Sequence, residues 1–336
     1  MKAIPEEKEQ NPLLNLRELV EGELDKVDEL IFSLIASKID LIPEISEHTI
    51  SSGGKRLRPI LTLASSKMCG YENSDEANIN LAACVEFIHT ATLLHDDVVD
   101  KSDLRRGKVT ANSLWGNKES ILVGDFLLGK AFSLMGSAKS LDVYRILSNA
   151  AVVISEGEVM QLAATGNIEA ATRQYEDIIK AKTAELFAAA CEVGGVISNK
   201  SEAECAALRD YGMNLGIAFQ IADDVLDYSQ DAKLLGKNVG DDFKDRKVTL
   251  PLIIAYKQAN EIERGFWERV IDENHQEEGD LEDAISLIKK HNALEKSMQK
   301  AMDYADSARK SMDIFPDSDI KPALLSVLDF AVQRKF

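Results

Sequence analysis

Scarcity narrows the chemistry of this chain before any motif is read. Seven prolines and an aromatic share of 6% in 336 residues leave few turn formers and few β-favouring side chains, which argues against an all-β design. The four cysteines, Cys69, Cys84, Cys191 and Cys205, form no CxxC pair, so neither a zinc site nor a disulfide frame is expected. They read as reduced, buried thiols of a cytoplasmic protein. Basic charge is short as well: 39 Lys and Arg against 57 Asp and Glu give a net charge of −18, which speaks against a nucleic-acid partner. No run of about 18 apolar residues is free of charge, so no membrane span is expected. The longest candidate, residues 81–99, is broken by Glu86, His89, His95 and the aspartates. The acidic, polar residues 1–7 have neither the layout of a signal peptide nor that of an Arg-rich transit peptide.

What the chain does have is helical periodicity. Hydrophobic residues make up 45%, enough for a sizeable core, and Leu19, Val20, Val27, Leu30, Ile31, Leu34 and Ile35 recur at helical spacing. Further helices are expected to about residue 50, over 75–101, 113–135, 140–164 and 202–228, with another begun by Thr249 and Pro251. Several short amphipathic helices complete the chain. No convincing strand, linker or tandem repeat is visible, so residues 14–336 read as one all-α domain after a loose tail over 1–13.

Two acidic motifs stand out, each closing an apolar helix: Asp96-Asp97-Val98-Val99-Asp100 and Asp223-Asp224-Val225-Leu226-Asp227. Asp96 and Asp100 lie one turn apart on a shared face, where their repulsion calls for a cation. Oxygen-only ligands suit Mg2+ held jointly with a substrate phosphate. One such motif is weak, since acidic helix ends are usually solvated; two suggest a pair of metal-holding walls. The only Gly-rich basic cluster, Gly53-Gly54-Lys55-Arg56-Leu57-Arg58-Pro59, precedes a helix whose N-terminal amides also favour anions. Arg105 and Arg106 follow the first acidic motif on a polar loop and suit bidentate phosphate contacts, with pairing to Asp103 as the plainer reading. Lys182 is a phosphate-ligand candidate, although lysines beside apolar helices usually only snorkel. Glu156, Glu158 and Gln161 cluster near a helix end, where most such residues are solvated or capping. His89 shares a stripe with Asp96, a position more often held by a core histidine. With Glu86 it forms the ExxH element of di-iron bundles, but the second copy such a site needs is missing, so iron is discounted.

These motifs, in this order, resemble the trans (E-type) polyprenyl diphosphate synthases, most closely their octaprenyl-type, long-chain bacterial members. The resemblance covers residues 53–59, 86–107, 124–126, 156–162, 182–183, 218–227 and 235–252. It implies an isoprenoid-synthase helical bundle around a central cavity, in a homodimer that serves quinone side-chain synthesis. It implies Mg2+ on Asp96, Asp100 and Asp223, with Asp97, Asp224 and Asp227 completing the acidic walls. Isopentenyl diphosphate would be held by Lys55, Arg58 and His89 with Arg106, and the allylic diphosphate by Arg105, Lys182, Thr183, Gln220 and Lys237. Asp96, Asp100, Asp223, Arg105 and Lys182 would then carry the ionisation step. Short-chain relatives place an aromatic residue just before the first motif; Ala91 and Thr92 are small, which implies a tunnel open to C40 length. Its floor is sought among Phe132, Leu134, Met135 and Leu147. The rivals are a C15–C20 synthase, a terpene cyclase and a non-catalytic partner subunit.

Overall fold

The computed structural model describes residues 12–72, 75–229 and 239–332. Helices follow one another through these residues, as the spacing of apolar side chains requires. The chain divides into two compact units. The first comprises Met1–Ala151, Leu186–Gly212 and Arg309–Phe330, and the second Val152–Glu185, Met213–Ala308 and Ala331–Phe336.

In the first unit a helix already begins at Pro12 and buries Leu13, so the stretch read as tail to residue 13 ends earlier; residues 1–11 lie outside the described residues. Helix Glu21–Ile35 buries Leu24, Val27 and Ile31, one stripe of an amphipathic helix. Helix Ala77–Val99 is different, because residues 81–88 are buried on every side. A helix apolar all round belongs in a core. Helix Asn117–Ser137 packs along it. There the buried Cys84 thiol donates to the Ala131 carbonyl at 3.3 Å, and Gly124 leaves room for the His95 ring. Both helices are long and apolar enough to cross a membrane by length and composition alone, but the first is largely buried inside the protein.

One departure from the all-helical reading follows the first acidic motif. Leu104–Arg105 and Lys108–Val109 pair as a small antiparallel hairpin, in the register Leu104↔Val109. Its two-residue turn, Arg106–Gly107, has φ of 52° and 74°. Positive φ at both positions is the type I′ geometry that matches the twist of a hairpin. Arg106 therefore occupies a left-handed position usually left to Asn or Gly. Two-residue strands carry no alternation for a sequence reading to detect.

The second unit has its own local signals. Asn167 caps helix Ile168–Ile179 by accepting from the Ala170 N–H at 2.8 Å. That helix runs into a π-turn, Lys180–Ala184. Gly157 permits it: a Cβ there would sit 2.8 Å from both the Ala181 Cβ and the Lys182 nitrogen. Thr249 is extended at the N-cap of Leu250–Gln258, with Pro251 in its first turn as the sequence signals. Asn260 and Glu263 form a reciprocal capping box.

Candidate active site

The first unit gathers the scattered basic residues into one place. Gly53, at φ 87°, turns the chain after helix Leu41–Ile50 and presents Lys55; Arg58 follows in the first turn of helix Leu57–Met68. His89 comes from the central helix and Arg106 from the hairpin turn. Lys55, Arg58, His89 and Arg106 line one cleft of about 460 Å³ open to solvent. Arg56 lines it too, but its charge is spent elsewhere. Its guanidinium reaches Glu86 at 2.6 Å and Asp28 at 3.2 Å. Glu86 is thus the anion under a basic cleft, and its burial calls for the cation; in the sequence it stood out only as a break in an apolar run and as part of the ExxH element.

Inside the cleft, Arg58 Nη1 lies 3.3 Å from His89 Nε2, and the Arg58 Nε is buried without a protein partner. Burial pulls the Arg58 pKa down to about 10, with Glu86 opposing and Arg106 adding to the fall. His89 is held well below 6.5, first by burial and then by the charges of Arg58, Arg106, Arg105 and Arg56. A neutral ring accepting at Nε2 carries its proton on Nδ1, so His89 offers a neutral donor among cations.

In the first acidic motif the three aspartates part company. Asp97 is buried and takes Arg105 Nε and Nη2 on one oxygen, at 2.8 and 2.7 Å. Burial raises its pKa against the lowering effect of Arg105. Asp96 and Asp100 are half-buried and stand one turn apart at the helix end, where the Asp100 N–H donates to the Asp96 carbonyl at 2.8 Å.

The second motif, in the second unit, divides similarly. Asp223 is half-buried. Asp224 is buried and accepts from the Tyr175 hydroxyl at 2.6 Å and the Gln220 amide at 2.8 Å. The Gln220 oxygen in turn accepts from Thr183 at 2.8 Å, so four side chains form one chain of hydrogen bonds. Burial raises the Asp224 pKa despite those bonds. Asp227 turns to the backbone and accepts from the N–H groups of Asp241 and Asp242 at 3.3 and 3.2 Å. Asp242 is pushed up by burial and by the charges of Asp227 and Asp224. Lys182 reaches Glu158 at 2.6 Å. Lys237 lies outside the described residues. Tyr175 and Asp242 had no role in the sequence reading; Tyr175 stands alone in its helix without a motif, whereas the acidic pair Asp241-Asp242 was visible only as loop charge.

Asp96 and Asp100 in the first unit, and Asp223 in the second, each carry carboxylate oxygens of the kind a hard divalent cation takes. Among the described residues no group of three His, Cys, Asp or Glu side chains assembles into a cage.

Known proteins resemble this chain in sequence and in fold. The polyprenyl synthetase family model matches residues 39–288. The octaprenyl diphosphate synthase of Escherichia coli is 40% identical over 322 residues, 96% of this chain and 99% of that one. Among solved structures, a decaprenyl diphosphate synthase from Rhodobacter capsulatus superposes with a TM-score of 0.91 at 47% identity, covering 96% of this chain and 98% of that one. A polyprenyl synthase from Caulobacter crescentus, solved with calcium and isoprenyl diphosphate, gives 0.92 at 48% identity with the same coverage. The chain belongs to the polyprenyl synthetase family. It is a prenyltransferase enzyme with the all-α isoprenoid-synthase fold.

Proposed function

We propose that this enzyme is a long-chain trans-polyprenyl diphosphate synthase that adds isopentenyl diphosphate units to an allylic diphosphate such as farnesyl diphosphate, ending at octaprenyl length. The observation that carries the proposal is the cleft where Lys55, Arg58, His89 and Arg106 converge, with His89 on the same helix as Asp96. Three cations and one neutral imidazole donor suit a diphosphate that must be bound but not cleaved. That defines the isopentenyl partner.

The allylic partner must lose its diphosphate. Asp96, Asp100 and Asp223 are the residues that would hold Mg2+, which when bound neutralises the charge growing on the departing oxygen. Arg105, Lys182, Thr183, Gln220 and Lys237 are assigned to the same diphosphate. Asp97 orients Arg105 through its two contacts, and Asp224 orients Gln220, whose second amide N–H is left for a phosphate oxygen. As the allylic C–O bond breaks, the isopentenyl double bond attacks the allylic carbon, and a proton leaves the neighbouring carbon to the departed diphosphate. Apolar helix surfaces keep water from the cation. A homodimer is part of the proposal. Leu114, Ile121, Leu122, Phe132, Leu141 and Tyr144 are exposed on consecutive helices of the first unit, a face that a second copy would cover. The setting is cytoplasmic, and the product supplies a quinone side chain.

The test is incubation with isopentenyl and farnesyl diphosphates, with Mg2+ and with chelator. A C40 product that requires Mg2+ is expected. A product stopping at C15–C20 favours a short-chain synthase, and no product favours a non-catalytic subunit. Sedimentation of the same sample reads the dimer.

A further inference from the structure

The hairpin that carries Arg106 to the basic cleft has little of its own to hold it in place. Its strands are two residues each, and Leu104 and residues 106–109 are exposed. An isolated two-stranded hairpin is marginal in water, so its position depends on what it is tied to. Each strand is tied to a different partner. In the first, Arg105 binds Asp97 of the central helix through Nε and Nη2. In the second, His48 Nε2 donates to the Val109 carbonyl at 2.7 Å, and Lys108 Nζ donates to the Ser51 carbonyl at 3.0 Å. A carbonyl only accepts, so a hydrogen of the His48 ring sits on Nε2 in either charge state. His48 belongs to helix Leu41–Ile50 and Ser51 follows it, so both ties lead to the segment that turns at Gly53 into the cleft. The His48 ring also meets the Trp115 indole, in the short helix after the hairpin, edge to face at 5.2 Å between centres. At the tip of the hairpin, Arg106 Nη1 lies 3.1 Å from where a Cβ on Gly54 would stand, so the guanidinium runs against bare backbone.

We propose that His48 is a positioning residue for isopentenyl diphosphate: it docks the hairpin on the segment before Gly53 and so holds Arg106 at the cleft. His48 does not itself line that cleft. The assignment rests on the reading of Arg106 as a diphosphate contact. Arg106 forms the turn with Gly107, and a turn moves with its strands. Release of Val109 from His48 therefore carries Arg106 away from Lys55 and Arg58. Arg105 is held separately by Asp97, so the allylic side keeps its arginine.

The experiment measures kcat, both KM values and the calorimetric Kd for isopentenyl diphosphate in wild type, His48→Phe, His48→Gln, Lys108→Met, Arg106→Gln and Arg106→Gln/His48→Phe. Phe keeps a ring against Trp115 and loses the donor, whereas Gln keeps a donor at similar reach. A net hydrogen bond corresponds to a factor of about two to ten, and a lower docked fraction raises the apparent Kd in proportion. His48→Phe is therefore expected to raise the Kd and KM for isopentenyl diphosphate by about two- to tenfold, with kcat and the KM for farnesyl diphosphate unchanged. Lys108→Met acts in the same direction, and His48→Gln stays near wild type. In the Arg106→Gln background His48→Phe adds nothing, the non-additivity expected of two residues acting as one. An unchanged Kd in His48→Phe, or a Gln variant as weak as the Phe variant, overturns the inference alone. So does the same factor in both backgrounds, or a parallel rise in both KM values, because either reports a structural effect. If His48→Phe does not fold, Lys108→Met decides by the same readings. A wild-type protein that binds no isopentenyl diphosphate overturns the reading of the cleft itself, and the inference with it.

Discussion

Replacing Glu86 by Gln tests how the basic cleft is supported. The carboxylate and the Arg56 guanidinium are 2.6 Å apart, with side chains only 7% and 12% exposed. Removing one partner of a buried ion pair costs about 3–5 kcal/mol, because the other charge is left in a poorly hydrated place. Gln keeps the shape and can accept from one guanidinium N–H, and Asp28 remains at 3.2 Å, so the lower limit of about 3 kcal/mol applies. A chain of 336 residues has an unfolding entropy of about 0.7 kcal/mol/K near its transition, so Tm should fall by about 4 °C. Differential scanning calorimetry reads this directly. The companion variant Arg56→Met/Glu86→Gln removes both charges and should recover most of the loss, since an apolar side chain carries no desolvation penalty. If Glu86→Gln melts with wild type, or the double variant melts below the single one, the carboxylate is not held there as the counter-charge of Arg56.

Other perturbations address catalysis directly. Asp96→Ala and Asp223→Ala should each lower kcat by about a hundredfold or more while circular dichroism stays that of wild type, since both are half-buried residues whose truncation leaves the helices they sit on intact; near-normal turnover in either variant sinks the metal assignment. The depressed pKa of His89 gives a pH effect of definite sign. The unfolded chain takes up a proton near pH 6.5 that the folded ring resists, so this contribution is absent above that pH and destabilises progressively below it. At pH 5.5 the loss reaches up to about 1.4 kcal/mol, or about 2 °C in Tm, and His89→Gln should lack it; parallel Tm–pH curves for the two proteins contradict the reading. For product length, Thr92→Phe is a cleaner probe than Ala91→Phe, because Ala91 is fully buried whereas Thr92 is half-buried and bonds the His89 carbonyl at 2.8 Å. Thr92→Phe should shift the product from C40 to C15–C20 with turnover retained, read by chromatography of the dephosphorylated prenols. An unchanged C40 product would remove Thr92 from the tunnel wall.

Long elements were legible in the sequence because their apolar spacing exceeds what chance provides: the helices Leu141–Ala164 and Glu202–Asp227 end within a residue of where that spacing stops. The central helix was also visible, although its all-round burial blurs any single stripe. Short elements were not. The Leu104–Val109 hairpin is too brief to alternate, and the positive φ of Arg106 is a property of its turn that no arginine advertises. Of the candidate site, residue types were readable and their commitments were not. Asp96 and Asp97 look equivalent in sequence, yet only Asp97 is buried against Arg105. Asp227 repeats the spacing of Asp100, yet it serves backbone N–H groups of residues 241 and 242. Such differences come from long-range packing, to which local pattern is blind. Phe132, considered as a tunnel floor, is exposed, while Leu134, Met135 and Leu147 are buried.

The π-turn at Lys180–Ala184 is, arithmetically, a helix that has accommodated one residue too many. Each residue of an α-helix rotates the chain by about 100°, so the surplus residue resets the direction in which everything after it points. Deleting any one residue there would let the stretch relax into ordinary helix. The Lys182–Glu158 and Thr183–Gln220 contacts would come out of phase even if all four side chains were retained. The length of this segment is therefore as much a part of the site as the letters in it, and it should tolerate a substitution at the half-buried Lys180 far better than an insertion or deletion of a single codon.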